Sequence, residues 1–501
     1  MEKTTLVSVF AYGIYGVYLL ALILVLLYSL SQTRMLLFYR RHKKKKIHTP
    51  PPLSNEALPK ITIQLPLYNE RYVVERLLKG ITALDYPKEK LQIQVLDDSD
   101  EEDQQITQEL VKRFQAAGHP ITYHHRKNRH GFKAGALKAG LKKATGEYIA
   151  IFDADFLPPK NWLRAVLPHF NSPQTGALQT RWGHLNQKYS IFTWAQSLAL
   201  DIHFRLEQTG RSLQRHFINF NGTGGIWRKN CIEAAGNWEG DTLTEDLDLS
   251  YRAQLMHWKI EYIEAIECPA ELPVMLSGIR SQQFRWNKGG AENFRKHIKR
   301  VWDSKHLGGS KKIFATIHLL NSSLFLFAFL LLFLSVPMFW IQKNFFLVES
   351  SFLLLGFFSI STLLFIRCYW EVHQQDFGKS GFAFWEFLQR FFLFYVLAMG
   401  FSFHNSWAVL EGLFGIKSAF IRTPKFNIRS SQDQWKGKVY SQRKGLFFTW
   451  FEGGLTLYFL MGCYLFWRWG SVQELGFLLL FLVATFGFGT LVWKSLKEWL
   501  S

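Results

Sequence analysis

Residues 148–155 have the sequence YIAIFDAD, which is the strongest fold signal in the chain. The first five residues of this segment are apolar, as in a strand buried on both faces, and two carboxylates follow at its end. Two short β-like runs lie upstream, at 61–65 and 91–96, with helical patterns between and after them. Strands that alternate with helices predict an α/β domain with a parallel sheet and helices on both faces.

Polar residues follow each of these three strands. Tyr68 and Glu70 come after the first strand, Asp98 after the second, and Asp153 and Asp155 after the third. In sheets of this kind, ligands bind at the carboxyl ends of the strands. The sequence therefore predicts a ligand site built from these side chains.

Asp153 and Asp155 place two carboxylates within reach of one cation. Mg²⁺ and Mn²⁺ prefer oxygen ligands and often share them with a substrate diphosphate. The position of Asp98 has two interpretations: it is either a helix N-cap or Asx-turn residue, or a contact to the base or ribose of a nucleotide. The spacing alone does not decide between the two.

Two later motifs carry further candidate residues. Thr244, Glu245 and Asp246 precede an apolar helical pattern, so their carboxylates are expected at the N-terminal end of a helix. A carboxylate in that position is a candidate general base. Residues 282–286 (QQFRW) are expected on one side of a helix, where Trp offers a flat face to a sugar ring and Gln and Arg offer directed hydrogen bonds.

The N-terminal residues 6–30 are almost uncharged, and this run is long enough to cross a bilayer core of about 30 Å. A signal peptide is the competing interpretation, but its apolar stretch would be shorter and a basic region would come before it. Here the basic cluster follows, at Arg40, Arg41 and residues 43–46. The positive-inside rule then predicts an external N-terminus and a cytoplasmic segment after the helix.

The apolar pattern returns after residue 312 and predicts two transmembrane hairpins, at 313–366 and 446–493. Residues 382–415 between them are apolar but carry several polar side chains, and the basic stretch 417–444 follows. Because that stretch should be cytoplasmic, we expect 382–415 to be an interfacial amphipathic helix or a re-entrant pair. The alternative is a further span that leaves the basic stretch outside.

The formal net charge of +20 is typical both of nucleic-acid-binding proteins and of proteins at anionic membrane surfaces. Many of the basic residues stand beside the apolar runs. This placement favours the membrane, and it predicts no nucleic-acid partner.

The motifs in chain order resemble those of the processive inverting glycosyltransferases of family 2, which include cellulose, chitin and hyaluronan synthases. They are Asp98, Asp153-x-Asp155, Thr244-Glu245-Asp246 and Gln282-x-x-Arg285-Trp286. The strings at 130–137 (HGFKAGAL), 220–228 (FNGTGGIWR) and 271–273 (ELP) look most similar to cellulose-synthase-like mannan, glucomannan and glucan synthases. The resemblance implies a GT-A-like (Rossmann-type) cytoplasmic domain inserted in an α-helical transmembrane bundle.

The resemblance also implies how the donor is bound. Tyr68, Glu70 and Asp98 would hold the nucleoside of a nucleotide sugar of the GDP-mannose or UDP-glucose type. Lys133 would contact the diphosphate region, and Asp153 would also face the donor.

The remaining motif residues are assigned to catalysis and to the acceptor by the same resemblance. Asp155 would bind the divalent cation, Mg²⁺ or Mn²⁺, and Asp246 would be the catalytic base. Gln282, Arg285 and Trp286 would bind the donor diphosphate and the acceptor end.

Residues 420–425 (FIRTPK) are similar to the gating loop Phe-x-Val-Thr-x-Lys of cellulose synthase. Phe420, Thr423 and Lys425 occupy the matching positions. Arg422 stands where that loop has Val, which is a departure from the pattern.

The pattern and the resemblance together predict the domain boundaries. They are a transmembrane helix at 1–35, a basic and Pro-rich linker at 36–57, the cytoplasmic glycosyltransferase domain at 58–305, a transmembrane hairpin at 306–372, an interfacial or re-entrant helix with a gating-like loop at 373–445, and a second transmembrane hairpin at 446–501. The catalytic domain would face the cytoplasm, in the plasma (inner) membrane if the protein is bacterial.

Three functions remain open from the sequence. A growing glycan as acceptor would make the protein a polysaccharide synthase coupled to translocation. A lipid acceptor would make it a single-sugar glycolipid synthase, as ceramide glucosyltransferases are. A transporter or channel with an incidental soluble domain is the interpretation from another class, although paired carboxylates at strand ends are unexpected there.

Overall fold

The computed structural model of the chain describes residues 2–43, 50–345, 348–430, 432–435, 437–438 and 446–500. Of the predicted basic segments, residues 44–46, 431, 436 and 439–444 lie outside this range. The first helix continues past the predicted boundary at residue 35 and ends at Lys43.

Seven strands form one sheet within the described residues. They are β1 (Ile61–Leu67), β2 (Leu91–Asp97), β3 (Ile121–His125), β4 (Tyr148–Ile151), β5 (Thr175–His184), β6 (Gly225–Arg228) and β7 (Lys259–Ala270). Their order across the sheet is β3-β2-β1-β4-β6-β5-β7. The three strands predicted from the sequence are β1, β2 and β4, and β1 pairs in parallel with both of the others. The predicted α/β fold is confirmed.

The helices lie between and after the strands. Those up to the end of the sheet are α1 (Glu2–Lys43), α2 (Val74–Thr82), α3 (Glu101–Ala116), α4 (Phe132–Leu141), α5 (Trp162–Val166), α6 (Ile191–Asp201), α7 (Thr209–Leu213), α8 (Lys229–Ala234) and α9 (Glu245–Leu255). The later helices are α10 (Leu276–Asp303), α11 (Gly309–Leu319), α12 (Leu324–Asn344), α13 (Val348–Phe377), α14 (Gly381–Phe414), α15 (Phe447–Trp469) and α16 (Leu475–Leu500). Short 3-10 turns occur at Lys88–Lys90, Leu167–His169, Asn321–Ser323 and Val472–Glu474, and a π-helix at Ile202–Gln208 joins α6 to α7.

The sheet is mixed, so the prediction of a parallel sheet is wrong for one strand. β6 runs antiparallel to β4 and to β5. The N–H of Gly224 donates to the carbonyl of Ile151, which ends β4. Because β6 therefore begins at the edge of the sheet where β4 ends, it has to run in the opposite direction.

Both faces of the sheet are covered by apolar side chains, as expected for helices on both sides. On one face Leu77 of α2 and Trp162 of α5 are fully buried in a cluster with the strands. On the other face Leu137 of α4, Trp227 of β6 and Leu249 of α9 form a second buried cluster. These two layers hold the carboxyl ends of the strands in place, which is where the predicted site residues lie.

Among the described residues, four helical segments are long and apolar enough to cross a membrane. They are Val7–Arg41, Asn321–Asn344, Gly381–Phe414 and Val472–Leu500. The first two flank the α/β domain in sequence. The spans predicted at 345–366 and 446–467 fall on α13 and α15, and their membrane crossing stays a prediction.

Residues 382–415 were expected to be an interfacial helix or a re-entrant pair. The structure has one unbroken helix here, α14, so it does not contain the re-entrant pair. The helix ends at Gly415, whose φ of 74° is the left-handed conformation typical of a helix C-terminus. Whether α14 lies at the interface or crosses the membrane, and hence the number of spans, stays a prediction.

Gly146→Ala is expected to destabilise the α/β domain by about 1–3 kcal/mol, the usual cost of overpacking. A side-chain carbon at Gly146 would lie 2.3 Å from the backbone nitrogen of Thr62 in the central strand β1, and backbone cannot move aside. The matched control is Gly309→Ala, because a carbon at Gly309 would have nothing within 4 Å. The midpoint of thermal unfolding in detergent measures the effect, and equal midpoints for the two variants would contradict it.

Candidate active site

The predicted site residues meet at the carboxyl edge of the sheet and line one cavity of about 190 Å³. The residues that the sequence analysis assigned are Tyr68, Glu70, Asp98, Lys133, Asp153, Asp155, Asp246, Gln282, Arg285, Trp286, Phe420, Thr423 and Lys425, and each of them lines this cavity. Their individual roles are taken up below as proposals. The first carboxylates follow the carboxyl ends of β1, β2 and β4. The other residues come from α4, α9, α10 and the loop after α14.

Asp153 is paired with Lys133, which lies in the first turn of α4. The Lys133 Nζ donates to Asp153 Oδ1 over 2.5 Å and to the carbonyl of Gly222 over 3.0 Å. Burial raises the pKa of Asp153, and Lys133 only partly opposes this. Burial would lower the pKa of Lys133, but Asp153 and Glu245 outweigh that effect and raise it. The ammonium is therefore stabilised by the carboxylates around it.

Asp155 is paired with a residue far away in sequence. The Lys425 Nζ lies 2.6 Å from Asp155 Oδ2 and donates to the carbonyl of Glu271 over 2.8 Å. The Glu271 carboxylate accepts from the backbone N–H of Phe426 and from Arg76. Glu271 therefore fixes the loop after α14 against the edge of the sheet. In this position the Lys425 ammonium contacts Asp155, the predicted metal ligand.

Glu70 makes a two-pronged ion pair with Arg422 of the same loop. The Arg422 Nε donates to Glu70 Oε1 over 2.8 Å, and the Arg422 Nη2 donates to Glu70 Oε2 over 2.5 Å. Arg422 also donates to the carbonyl of Asn69. Burial raises the pKa of Glu70 to about 7 although Arg422 acts in the opposite direction. Arg422, the residue that departs from the gating-loop pattern, thus has a structural role. Its positive charge compensates the buried carboxylate of Glu70.

The other two residues assigned to the nucleoside, Tyr68 and Asp98, have basic partners from the segment between β3 and α4. Arg126 binds both oxygens of Asp98, with the Nε–Oδ1 distance at 2.8 Å. The guanidinium of Arg129 lies 3.2 Å from the centre of the Tyr68 ring. Arg126 and Arg129 were not predicted from the sequence. The Arg129 guanidinium therefore makes a cation–π contact with the Tyr68 ring.

Asp246 lies in the first turn of α9, where the helix dipole favours a carboxylate. Burial and the neighbouring Glu245 raise its pKa to about 7. Gly222 faces it with a φ of 78°. A side-chain carbon at Gly222 would lie 3.0 Å from Asp246 Oδ2 and 3.3 Å from Lys133 Nζ, so glycine leaves room beside this carboxylate.

Arg285 of α10 connects the α/β domain to the loop after α14. It donates to Thr423 Oγ1 over 2.9 Å and to the carbonyl of Ile421. Its guanidinium lies 4.9 Å from the centre of the Phe420 ring, which in turn stacks on Phe132 at 5.5 Å. Burial lowers the pKa of Arg285 to about 10. The loop is therefore docked over the cavity through all three predicted gating-loop positions.

A second cavity, of about 460 Å³, lies against the first on the side of the apolar helices. Residues that line both cavities are Trp182, Asn221, Thr244, Asp246, Gln282 and Trp286. Most of the rest of its wall comes from α1, α6, the π-helix, α10, α12, α13 and α14. Trp182 and Asn221 were missed as site residues, although Asn221 lies in the string at 220–228 that carried part of the resemblance.

Glu239, Asp241 and Asp248 form a further group of carboxylates within the described residues. None of these residues lines the first cavity. The Lys296 Nζ lies 2.7 Å from Glu239, 2.8 Å from Asp241 and 2.8 Å from Asp248. One ammonium therefore already contacts all three carboxylates.

The comparison with protein families matches residues 59–289 to the description "Glycosyltransferase like family 2". Residues 59–289 therefore form a domain similar to those of glycosyltransferase family 2. This domain contains the strand-end carboxylates, the base candidate Asp246 and the motif at 282–286. The predicted resemblance is confirmed by this match and by the relatives described next.

Similar curated proteins include two plant enzymes. The chain is 38% identical over 280 residues to "Glucomannan 4-beta-mannosyltransferase 2" of Arabidopsis thaliana, which covers 55% of this chain and 52% of the relative. It is 38% identical over 271 residues to "Glucomannan 4-beta-mannosyltransferase 1" of Oryza sativa subsp. japonica, which covers 52% of this chain and 51% of the relative. The match thus spans about half the length of each relative.

Among solved structures, the chain is similar to mannosyltransferase PcManGT from Pyrobaculum calidifontis, solved in complex with GDP-Man and Mn²⁺. The sequence identity is 22% and the TM-score 0.47, over 68% of this chain and 95% of the other.

Proposed function

We propose that the protein is a membrane-bound inverting glycosyltransferase that polymerises a β-linked polysaccharide of the mannan, glucomannan or glucan type. The observation that carries the proposal is the convergence of every predicted site residue on one cavity of a family-2 domain. The relatives named as glucomannan mannosyltransferases support a nucleotide sugar of the GDP-mannose type as donor. UDP-glucose is the other donor to be tested.

The donor binds along the carboxyl edge of the sheet in this proposal. The base stacks against Tyr68, while Glu70 and Asp98 accept hydrogen bonds from the nucleoside. Lys133 and Arg285 are the cations that face the diphosphate. A buried cation next to a phosphate contributes more than an exposed one, because the surrounding dielectric is low.

Asp153 and Asp155 supply carboxylate oxygens, which are the ligands that Mg²⁺ and Mn²⁺ prefer, so the residues present fit such an ion. Asp155 is the main ligand in this proposal. When bound, the ion would neutralise charge that develops on the leaving diphosphate. Lys425 compensates Asp155 in the structure, and the ion therefore competes with this ammonium for the carboxylate.

Asp246 is the general base. It takes the proton of an acceptor hydroxyl while that oxygen attacks the anomeric carbon from the face opposite the diphosphate. The bond between the anomeric carbon and the diphosphate breaks as the new bond forms, so an α-linked donor gives a β-linked product. A pKa of about 7 suits this step, since about half of the carboxyl groups are ionised at pH 7 and the ionised form is basic enough to accept the proton.

The second cavity supports a long glycan as acceptor. It begins at Asp246 and Trp286 and extends among the apolar helices. Asn219 and Asn321 line it, and their buried side-chain oxygens have no hydrogen-bond partner within the described residues. Such oxygens are suited to accept from sugar hydroxyls, while aromatic side chains in the wall offer faces for sugar rings.

The experiment uses the full chain in detergent or nanodiscs with radiolabelled GDP-mannose, UDP-glucose and other nucleotide sugars, in the presence of Mn²⁺ or Mg²⁺. We expect a long product that a β-specific glycan hydrolase degrades. A product with one sugar on a lipid would contradict polymerisation, and failure to turn over any donor would contradict glycosyl transfer. Protease protection in sealed vesicles tests the proposed cytoplasmic position of the domain.

A further inference from the structure

The π-helix Ile202–Gln208 places several polar side chains beside the wall that the two cavities share. Such one-turn deviations from α-helical geometry occur frequently at functional sites. His203, Glu207 and Gln208 stand at i, i+4 and i+5 in this segment, and all three take part in one hydrogen-bond network. The proposed mechanism gives none of them a role.

The network ends on Asn221, whose side-chain amide has two hydrogen-bond partners and whose backbone N–H has a third. The Asn221 Oδ1 accepts from Gln208 Nε2 over 2.7 Å, and the Asn221 backbone N–H donates to Gln179 Oε1 over 2.8 Å. The Asn221 Nδ2 lies 3.0 Å from His203 Nε2. Because the amide oxygen faces Gln208, the amide NH₂ is the donor to His203. His203 Nε2 must then be the acceptor, and the ring proton lies on Nδ1.

Glu207 fixes the histidine. His203 Nδ1 lies 3.0 Å from Glu207 Oε2, and the same carboxylate accepts from Arg211 over 3.2 Å. Its other oxygen accepts from Tyr28 over 3.0 Å and from Gln32 over 2.5 Å, both on the N-terminal helix α1. Although burial acts in the opposite direction, Arg211 and His203 hold the pKa of Glu207 below its usual range. Glu207 is therefore ionised and fully hydrogen-bonded.

Asn221 has one more hydrogen to donate. A side-chain amide carries two N–H donors, and one of them is used by His203 within the described residues. Asn221 lines both cavities, as Asp246 does, so the second N–H is available at the junction where donor and acceptor sugars would meet.

We propose that Asn221 donates this N–H to an oxygen of the acceptor sugar beside Asp246, and that His203 and Glu207 are positioning residues that fix the amide for this contact. The ligand is thus a hydroxyl-rich sugar end held in one orientation, which determines which hydroxyl reaches the base. The inference rests on the proposed function and adds acceptor-positioning residues to it.

Two substitutions, His203→Gln and His203→Asn, distinguish a role of His203 in positioning the Asn221 amide from a role in packing alone. The side chain of Gln is long enough to bring an amide oxygen to the place of Nε2, where it can accept from Asn221. The side chain of Asn is one carbon shorter and reaches only the place of Nδ1, where it can still meet Glu207. The control is His216→Gln, because His216 follows α7, lines neither cavity and has no hydrogen-bond partner for its ring nitrogens within the described residues.

The full chain in nanodiscs is assayed with GDP-mannose, or with UDP-glucose if that is the donor of the unaltered protein, and with β-1,4-linked mannotetraose as acceptor. Transfer to the acceptor and hydrolysis of the donor by water are measured side by side. His203→Asn is expected to lower transfer about fivefold to tenfold, as for one lost hydrogen bond, and to leave donor hydrolysis unchanged. His203→Gln and His216→Gln are expected to keep both rates.

Equal losses of transfer and hydrolysis in His203→Asn would overturn the inference, because a general structural defect affects both reactions. Wild-type transfer in His203→Asn, or an equal loss of transfer in His203→Gln, would also overturn it. These results leave the proposed function intact. Absence of any donor turnover by the unaltered protein would instead contradict the proposed function, and this inference with it.

Discussion

Asp246→Asn is expected to lower the rate of sugar transfer about 10²- to 10⁴-fold, the usual contribution of a general base. Asparagine has nearly the same size and can accept a hydrogen bond, but it cannot take up the proton of the attacking hydroxyl. The nucleoside contacts proposed for Tyr68 and Asp98 do not involve Asp246. Binding of GDP or UDP, measured by calorimetry, should therefore be retained, which shows that the variant is folded.

The same carboxylate determines the expected pH profile. Burial and Glu245 raise the pKa of Asp246 to about 7, and the base must be ionised to act. The kcat/KM of the unaltered protein should then fall about tenfold for each pH unit below about 7, and level off above it. The residual activity of Asp246→Asn should lack this dependence. A profile that is flat from about pH 5 to about pH 8 would contradict the assignment of Asp246 as the base.

The strand-end residues could be predicted because of a simple geometric fact. Parallel strands end at the same edge of the sheet, so residues that follow three such strands in the sequence come together in space. Asp98, Asp153 and Asp155 are examples, and each lines the first cavity. The direction of β6 could not be predicted in this way, because it depends on the edge to which the chain returns after α6 and α7.

The partners of these carboxylates were harder to predict. Glu70 pairs with Arg422, which is 352 positions away, and Asp155 pairs with Lys425, which is 270 positions away. No local pattern connects residues at such separations. For Arg422, comparison with the gating-loop pattern identified the unusual residue, but only the fold shows that it compensates Glu70.

The network on the π-helix could not be predicted at all. A sequence of mixed apolar and polar residues at 191–213 is compatible with an ordinary amphipathic helix, and local periodicity does not distinguish α from π geometry. The side-chain contacts of His203 and Gln208 to Asn221 arise only when this helix packs between the sheet and α1.

Asp155→Asn is expected to lower the rate of transfer about 10²- to 10³-fold and to raise the Mn²⁺ concentration needed for half-maximal activity. An amide oxygen carries no net charge and binds a hard divalent cation far more weakly than a carboxylate does. The measurement is a titration of Mn²⁺ and of Mg²⁺ at a saturating donor concentration. Unchanged metal dependence in this variant would contradict the assignment of Asp155 as the ligand.

The matched control is Asp241→Asn, in the other group of carboxylates. Asp241 already pairs with Lys296 and does not line the first cavity, so the substitution should change neither the rate nor the metal dependence. A loss of metal dependence in Asp241→Asn alone would indicate that the metal binds to the group of Glu239, Asp241 and Asp248 instead. Because Asp155→Asn leaves the Lys425 ammonium without its carboxylate, the double variant Asp155→Asn with Lys425→Met is needed as well. Recovery of activity in the double variant would attribute the loss in Asp155→Asn to this unpaired charge and would contradict the assignment of Asp155 as the ligand.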